Sequence, residues 1–177
     1  MVQPEPDARP LQPTSARLRY RLLAAADLSV LHALALDGHV RRFLLDGERV
    51  SEAWCAHLIE ASRQEFAQNK LGMWLLFERE RPASAIGFAG FWRFDCVGAA
   101  PQLLYALEPA YTGRGYAGEA ARSVIAFARA HEALREIDAA VDEPNVASIA
   151  VLQRLGFRRV GEAPGAFGKM LLFRLPG

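Results

Sequence analysis

Alternation of apolar and polar positions first appears at residues 17–23. Leu18, Tyr20 and Leu22 alternate there with arginines, which predicts a strand. Asp27 then reads as the N-cap of a helix carrying Leu28, Leu31, Leu34 and Ala35, with Gly38 as its stop. Ser51 reads as the cap of a longer helix with an apolar stripe of Trp54, Cys55, Leu58, Ile59 and Phe66; Gly72 ends it. Two strands follow, Met73–Glu78 and residues 85–94, joined by a charged turn. Gln102–Leu107 is nearly continuous in apolar residues, so it should be covered on both faces, and Pro109 ends it. Residues 117–131 predict a helix. Ala117, Ala120, Ala121, Val124, Phe127 and Ala128 share one face, opposite Arg122 and Arg129. A strand at 136–141, a helix at 145–155 and strands at 157–161 and 169–175 complete the order β-α-α-β-β-β-α-β-α-β-β. Residues 1–15 are proline-rich and read as a flexible arm, leaving one domain over 16–177.

Composition narrows the class. The chain has 177 residues, 51% of them hydrophobic, with 21 basic and 20 acidic side chains for a net charge of +1. That supports a single packed core and excludes a disordered chain. There is no basic excess for a general nucleic-acid groove. No charge-free apolar stretch reaches the roughly 18 residues of a membrane span, and the start has no apolar run like that of a secretory leader. Cys55 and Cys96 make no CxxC pair, so two thiols in a reducing, cytoplasmic setting are expected. His32, His39, His57 and His131 lack metal-ligand spacing, and no metal is expected.

The most informative string runs from Glu108 to Ala120 and joins a buried strand to an alanine-rich helix. Gly113, Gly115 and Gly118 allow a tight bend and close approach of a ligand. The free N–H groups and dipole of the following helix favour an anion, phosphate above all. A P-loop is excluded because no lysine follows. Gly113-x-Gly115-x-x-Gly118 does fit a dinucleotide fingerprint, with Asp138 as its distant acidic partner, so that alternative stands on the string alone. Downstream, Asn145 begins a helix with the packing stripe Ile149, Leu152 and Leu155, and Gly156 fits its C-cap.

Together the two strings resemble the GCN5-related N-acetyltransferase (GNAT) superfamily, in particular its ribosomal-protein N-terminal acetyltransferases, the RimJ/RimL-like branch. The first matches that family's acyl-CoA loop at Pro109, Tyr111, Gly113, Gly115, Tyr116, Ala117, Glu119 and Ala120. The second matches its helix motif at Asn145, Ser148, Val151, Leu152, Arg154, Leu155, Gly156 and Phe157. The match demotes the dinucleotide reading. The resemblance implies an α/β (α+β) fold: one mixed, mostly antiparallel, splayed sheet of about seven strands with about four helices. It also implies acetyl-CoA as co-substrate and direct transfer of the acetyl group to a primary amine, on a protein N-terminus or a small molecule. In the family the strand before the loop holds the pantetheine arm, here Tyr105, Ala106 and Leu107. The pyrophosphate lies on the loop and helix start, here Gly113, Arg114, Gly115, Tyr116, Ala117 and Gly118. Arg154 is a candidate for the 3′-phosphate. A non-catalytic acyl-CoA-binding module of the same fold is the alternative reading.

Direct attack on a thioester needs a neutral amine, a polarised carbonyl and a stabilised leaving thiolate. Many superfamily members carry a tyrosine seven residues after the asparagine; Leu152 stands there and donates no proton. The ribosomal branch has a serine three residues after it, and Ser148 fits, with Asn145 as a polar anchor one turn away. Where that branch often has a glutamate, this chain has Gln102, which can hold a water but accepts no proton. An α-amine, with a pKa of about 7.7–8.0, is partly neutral near pH 7, whereas lysine at about 10.4 needs roughly 4 kcal/mol of help. An α-amine or another low-pKa amine is therefore the expected acceptor. The loop region 37–50, with His39, Arg41 and Arg42, and the loop 162–168 are the expected acceptor walls. A monomer or homodimer is expected.

Overall fold

The structure is a computed structural model that describes residues 12–93, 100–131 and 133–177. Seven strands form one sheet: β1 (Leu18–Leu22), β2 (Met73–Glu78), β3 (Ala85–Trp92), β4 (Gln102–Leu107), β5 (Ile137–Asp142), β6 (Arg158–Gly165) and β7 (Gly168–Leu175). Their spatial order is β1-β2-β3-β4-β5-β7-β6, and among the described residues only the β4–β5 pair is parallel. The helices are α1 (Leu28–Leu36), α2 (Gly38–Leu44), α3 (Glu52–Asn69), α4 (Tyr116–Ala130) and α5 (Val146–Arg154). The mixed, mostly antiparallel sheet is as expected, with five α-helices among the described residues against an expected number of about four.

Two cores lie against the sheet. On one face Ala120, Ala121, Val124, Phe127 and Ala128 of α4 pack with Leu103 and Leu107 of β4 and Leu152 of α5. On the other, Leu31 and Leu34 of α1 and Cys55, Leu58 and Ile59 of α3 pack with Leu75, Phe88 and Leu104. Covered on both faces, β4 is the strand around which the rest is built.

The feature that makes room for a ligand is a failure of pairing. β3 and β4 pair along six positions, but β4 and β5 are in register only at Gln102↔Asp138. Beyond that point the two parallel strands part, and the stretch Tyr105–Leu107 loses its β5 neighbour.

Three predicted boundaries move. Gly38 does not end a helical region but opens α2, because the Asp37 carboxylate accepts hydrogen bonds from the His39 and Val40 amides at 2.8 and 3.1 Å and caps a new helix. The expected wall loop 162–168 is mostly ladder: Pro164 and Gly165 pair with Lys169 and Gly168 across a two-residue turn. In the arm, Thr14 and Ser15 are tied down: the Ser123 hydroxyl donates to the Thr14 carbonyl at 2.9 Å, and the Leu18 amide donates to Ser15 Oγ at 3.2 Å. Residues 1–11, the end of the expected third strand at Phe94, and Cys96 lie outside the described residues. No helix among the described residues is long and apolar enough to cross a membrane.

Candidate active site

The gap between β4 and β5 is the floor of a cleft of about 950 Å³. Its walls come from six segments: the chain before β1, α2, Leu103–Leu107 of β4, the glycine loop with α4, the middle of β5, and α5.

The loop is shaped by bonds the sequence motif does not advertise. Gly115 holds φ = 81° as the N-cap of α4, a left-handed conformation that costs glycine little. No side chain caps this helix, so its first-turn N–H groups are left to point at the cleft. Arg17, itself part of the cleft lining, fixes the loop. Its Nε donates to Glu119 Oε2 at 2.7 Å, its Nη1 to the Arg114 carbonyl at 3.0 Å, and its guanidinium lies 4.5 Å from the Tyr116 ring centre. The Tyr116 hydroxyl donates to Glu78 at 2.6 Å. Burial opposes ionisation of Glu119, but hydrogen bonds from the Arg17 backbone and side chain win and hold its carboxyl below the usual range. A Cβ built on Gly113 or Gly118 meets nothing within 4 Å, so open space lies over the backbone where a phosphate would approach. The cradle fits a pyrophosphate.

Of the residues marked in the sequence, Tyr105, Ala106, Leu107, Gly113, Gly115, Tyr116, Ala117, Gly118, Asn145, Ser148, Arg154 and His39 all line this one cleft. Asn145 caps α5, its Oδ1 accepting from the Ser148 amide at 3.2 Å. Leu152 is 2% exposed and belongs to the core. Arg122 also lines the cleft, from the face of α4 that the helical pattern assigns to solvent.

Four expectations are corrected. Gln102 is 4% exposed and sits at the closed end of the β4–β5 pair, opposite Trp92 and Asp138; it does not line the cleft. The reason is topological, since the strands open toward their C-terminal ends and Gln102 is at the start of β4. Arg114 contributes its backbone, while its side chain lies over Tyr111, 5.4 Å from the ring centre, and not in the cleft lining. Arg41 and Arg42 are absent from the lining because residues 38–44 are helical. His39, Val40, Phe43 and Leu44 face the cleft, and the arginines lie on other faces of α2.

Tyr105 supplies more than the main chain the sequence motif pointed to. Its hydroxyl donates to the Ser148 carbonyl at 3.3 Å, across the gap. Burial pushes the phenol up to about 12, with hydrogen bonding to the Ser148 side chain pulling the other way. The phenol therefore stays protonated and remains a donor. A tyrosine in a strand carries no signal of what it will face, and the contact depends on α5 docking 43 residues later.

Comparison with known proteins places the chain in a class. The sequence model of the acetyltransferase (GNAT) domain matches residues 17–158, and the chain belongs to that family. A GnaT-family acetyltransferase from Bordetella pertussis superposes with a TM-score of 0.77 at 20% identity, covering 91% of this chain and 96% of that one. RimL, a ribosomal L7/L12 α-N-protein acetyltransferase in complex with coenzyme A, gives 0.76 at 17% identity, covering 93% and 96%. The Salmonella typhimurium acetyltransferase that modifies the N-terminal serine of ribosomal protein L7/L12 gives 0.74 at 18% identity, covering 92% and 96%. At these identities the likeness is one of fold.

Proposed function

We propose that this protein is an acetyl-CoA-dependent N-acetyltransferase acting on an α-amine, such as a protein N-terminus, or on a small amine of similarly low pKa. The observation that carries the reading is the cleft itself. One cavity joins an unpaired strand edge at Tyr105–Leu107, an uncapped helix start at 113–118, and the Asn145–Ser148 turn of α5. The strand edge offers N–H and C=O groups to the amides of a pantetheine arm. The helix start offers N–H groups to a pyrophosphate, with Arg122 and Arg154 adding charge at the cleft wall. The thioester supplies an activated acyl group. Ser148, half-buried beside Tyr105, donates to the departing sulfur, and Asn145 orients the arm. His39 and Phe43 of α2 face the acceptor side. RimL and the Salmonella enzyme, by their names, act on a protein α-amine, which agrees with the acceptor argued from pKa.

The test is release of free thiol from acetyl-CoA with a panel of N-terminal peptides, lysine side-chain peptides and small amines. Turnover with α-amine peptides and a loss of rate in Ser148→Ala support the reading. Tight acetyl-CoA binding with no turnover on any amine would replace it with a non-catalytic acyl-CoA-binding module.

A further inference from the structure

The mechanism above has no proton acceptor. Gln102 cannot serve, because an amide accepts no proton. One buried carboxylate adjoining residues of the cleft wall has no hydrogen-bond donor among the described residues. Asp142, the last residue of β5, is 7% exposed. Among the described residues none donates a hydrogen bond to its carboxylate. Nor are its oxygens among the sealed, unpartnered polar atoms of the fold, so water reaches them. A carboxylate so buried and unpaired costs free energy, and such groups cluster at functional sites.

Its position suits proton transfer. Asp142 is not itself part of the cleft lining, but its neighbours Val141 and Asn145 are. The Asp142 carbonyl accepts from the Asn145 amide at 2.8 Å, so the residue is tied to the start of the helix that carries Ser148. Above it the two expected acceptor walls meet. A Cβ on Gly47, in the turn between α2 and α3, would lie 3.6 Å from Phe167 at the tip of the β6–β7 hairpin. A Cβ on Gly165 of that hairpin would lie 2.9 Å from Asp142 Oδ1. The carboxylate thus sits where the walls join, at the end of β5.

The charges around it are two carboxylates and one ammonium that is already paired. Asp46 stands in the α2–α3 turn, Glu143 follows in the chain, and the Lys169 ammonium of β7 is occupied by Glu162 at 2.8 Å. Burial first, and Asp46 second, push the Asp142 carboxyl above its ordinary range. A raised pKa makes its carboxylate a stronger proton acceptor than a free one.

We propose that Asp142 is the general base of the transfer, taking a proton from the acceptor amine through one water. The proposal rests on the acetyltransferase reading. In the balanced step, the acceptor ammonium gives one proton to the Asp142 carboxylate through the water. The nitrogen lone pair then forms the C–N bond at the thioester carbonyl. The C–S bond breaks with its electron pair going to sulfur. The second nitrogen proton ends on that sulfur by way of the Ser148 hydroxyl, and Asp142 returns its proton to solvent.

The experiment is a pH profile of kcat/KM for an α-amine peptide, in wild type, Asp142→Asn and Asp46→Asn, with acetyl-CoA affinity measured in parallel. Asp142→Asn is expected to lose about 100-fold or more in kcat. Its acetyl-CoA affinity should be unchanged, and its rate should rise with pH as the free amine deprotonates. Asp46→Asn should keep most of the rate and shift the acid limb toward lower pH. If Asp142→Asn does not fold, that shift alone carries the test. Wild-type turnover with an unchanged rate and acid limb in Asp142→Asn, or an unmoved limb in Asp46→Asn, overturns the role of Asp142 alone. No wild-type turnover with any amine overturns the acetyltransferase reading and this role together.

Discussion

The hydroxyl of Tyr105 on β4 donates to the main-chain carbonyl of Ser148 on α5 at 3.3 Å, bridging the two sides of the gap where β4 and β5 have parted. Ser148→Ala removes the proposed donor to sulfur and is expected to lower kcat by about 100-fold, with little change in acetyl-CoA affinity. Tyr105→Phe removes one hydrogen bond and should cost about 1 kcal/mol in urea unfolding. Because the phenol is pushed up to about 12, it does not titrate in the working range. The rate profile of Tyr105→Phe should therefore keep its shape and move down as a whole. A new alkaline limb in that variant would contradict this account.

Gly118 separates ligand binding from stability. A Cβ there meets nothing within 4 Å, and its φ is not in the left-handed range. Gly118→Val should fold with a melting temperature within a few degrees of wild type, since surface substitutions of this kind stay near 0.5 kcal/mol. Yet the side chain would occupy the space over the helix start. Acetyl-CoA affinity, measured by calorimetry, should fall at least about tenfold, equivalent to about 1.4 kcal/mol.

Arg122 and Arg154 test the charge in the cleft wall. Both are exposed and line the cleft. Each alanine variant should weaken acetyl-CoA binding several-fold at low salt. The deficit should shrink in high salt, because contacts between exposed charges are screened. Titrations at two ionic strengths check both points, and Arg42→Ala, which alters a side chain outside the lining, should leave binding unchanged.

The Arg17–Glu119 pair sets an acid limit on stability. The folded-state carboxyl of Glu119 lies below its ordinary value, so its contribution is present above the unfolded value of about 4.3. It is lost as pH falls through the lower, folded value. Thermal melts from pH 6 down to pH 3 should show wild type losing its advantage over Glu119→Gln across the lower part of that range. Half of the Arg17 side chain is exposed, so the effect should be modest and weaker in salt.

Much of this was legible in the chain because it is local. β4 and β2 were read at their observed ends, and the faces of α4 follow from spacing alone. The glycine loop and the Asn145 turn are contiguous strings, and both line the one cleft. What escaped depends on distant parts. Gly38 has the chemistry of a stop, and only the capping by Asp37 turns it into a start. Pro164 and Gly165 look like loop, yet their partner strand is close enough to pair them. The position of Gln102 within its strand is legible in the sequence, but which end of β4 opens is decided by β5. Asp142 carried no signal, since an aspartate at a strand end is ordinary until two loops close over it.

The single paired position between β4 and β5 has a mechanical consequence. β1 to β4 form one plate and β5, β7 and β6 another, each cross-linked by antiparallel ladders with one irregularity apiece, at Leu76/Phe77 and at Arg159/Gly161. The plates are welded at Gln102↔Asp138 and otherwise joined through helix packing and the Tyr105–Ser148 tie. A small flexure about the weld changes the width of the far end without breaking a ladder bond in either plate. A molecule lodged between them acts as a wedge and a splint at once, so the width at which the plates rest sets how thick a guest the protein holds.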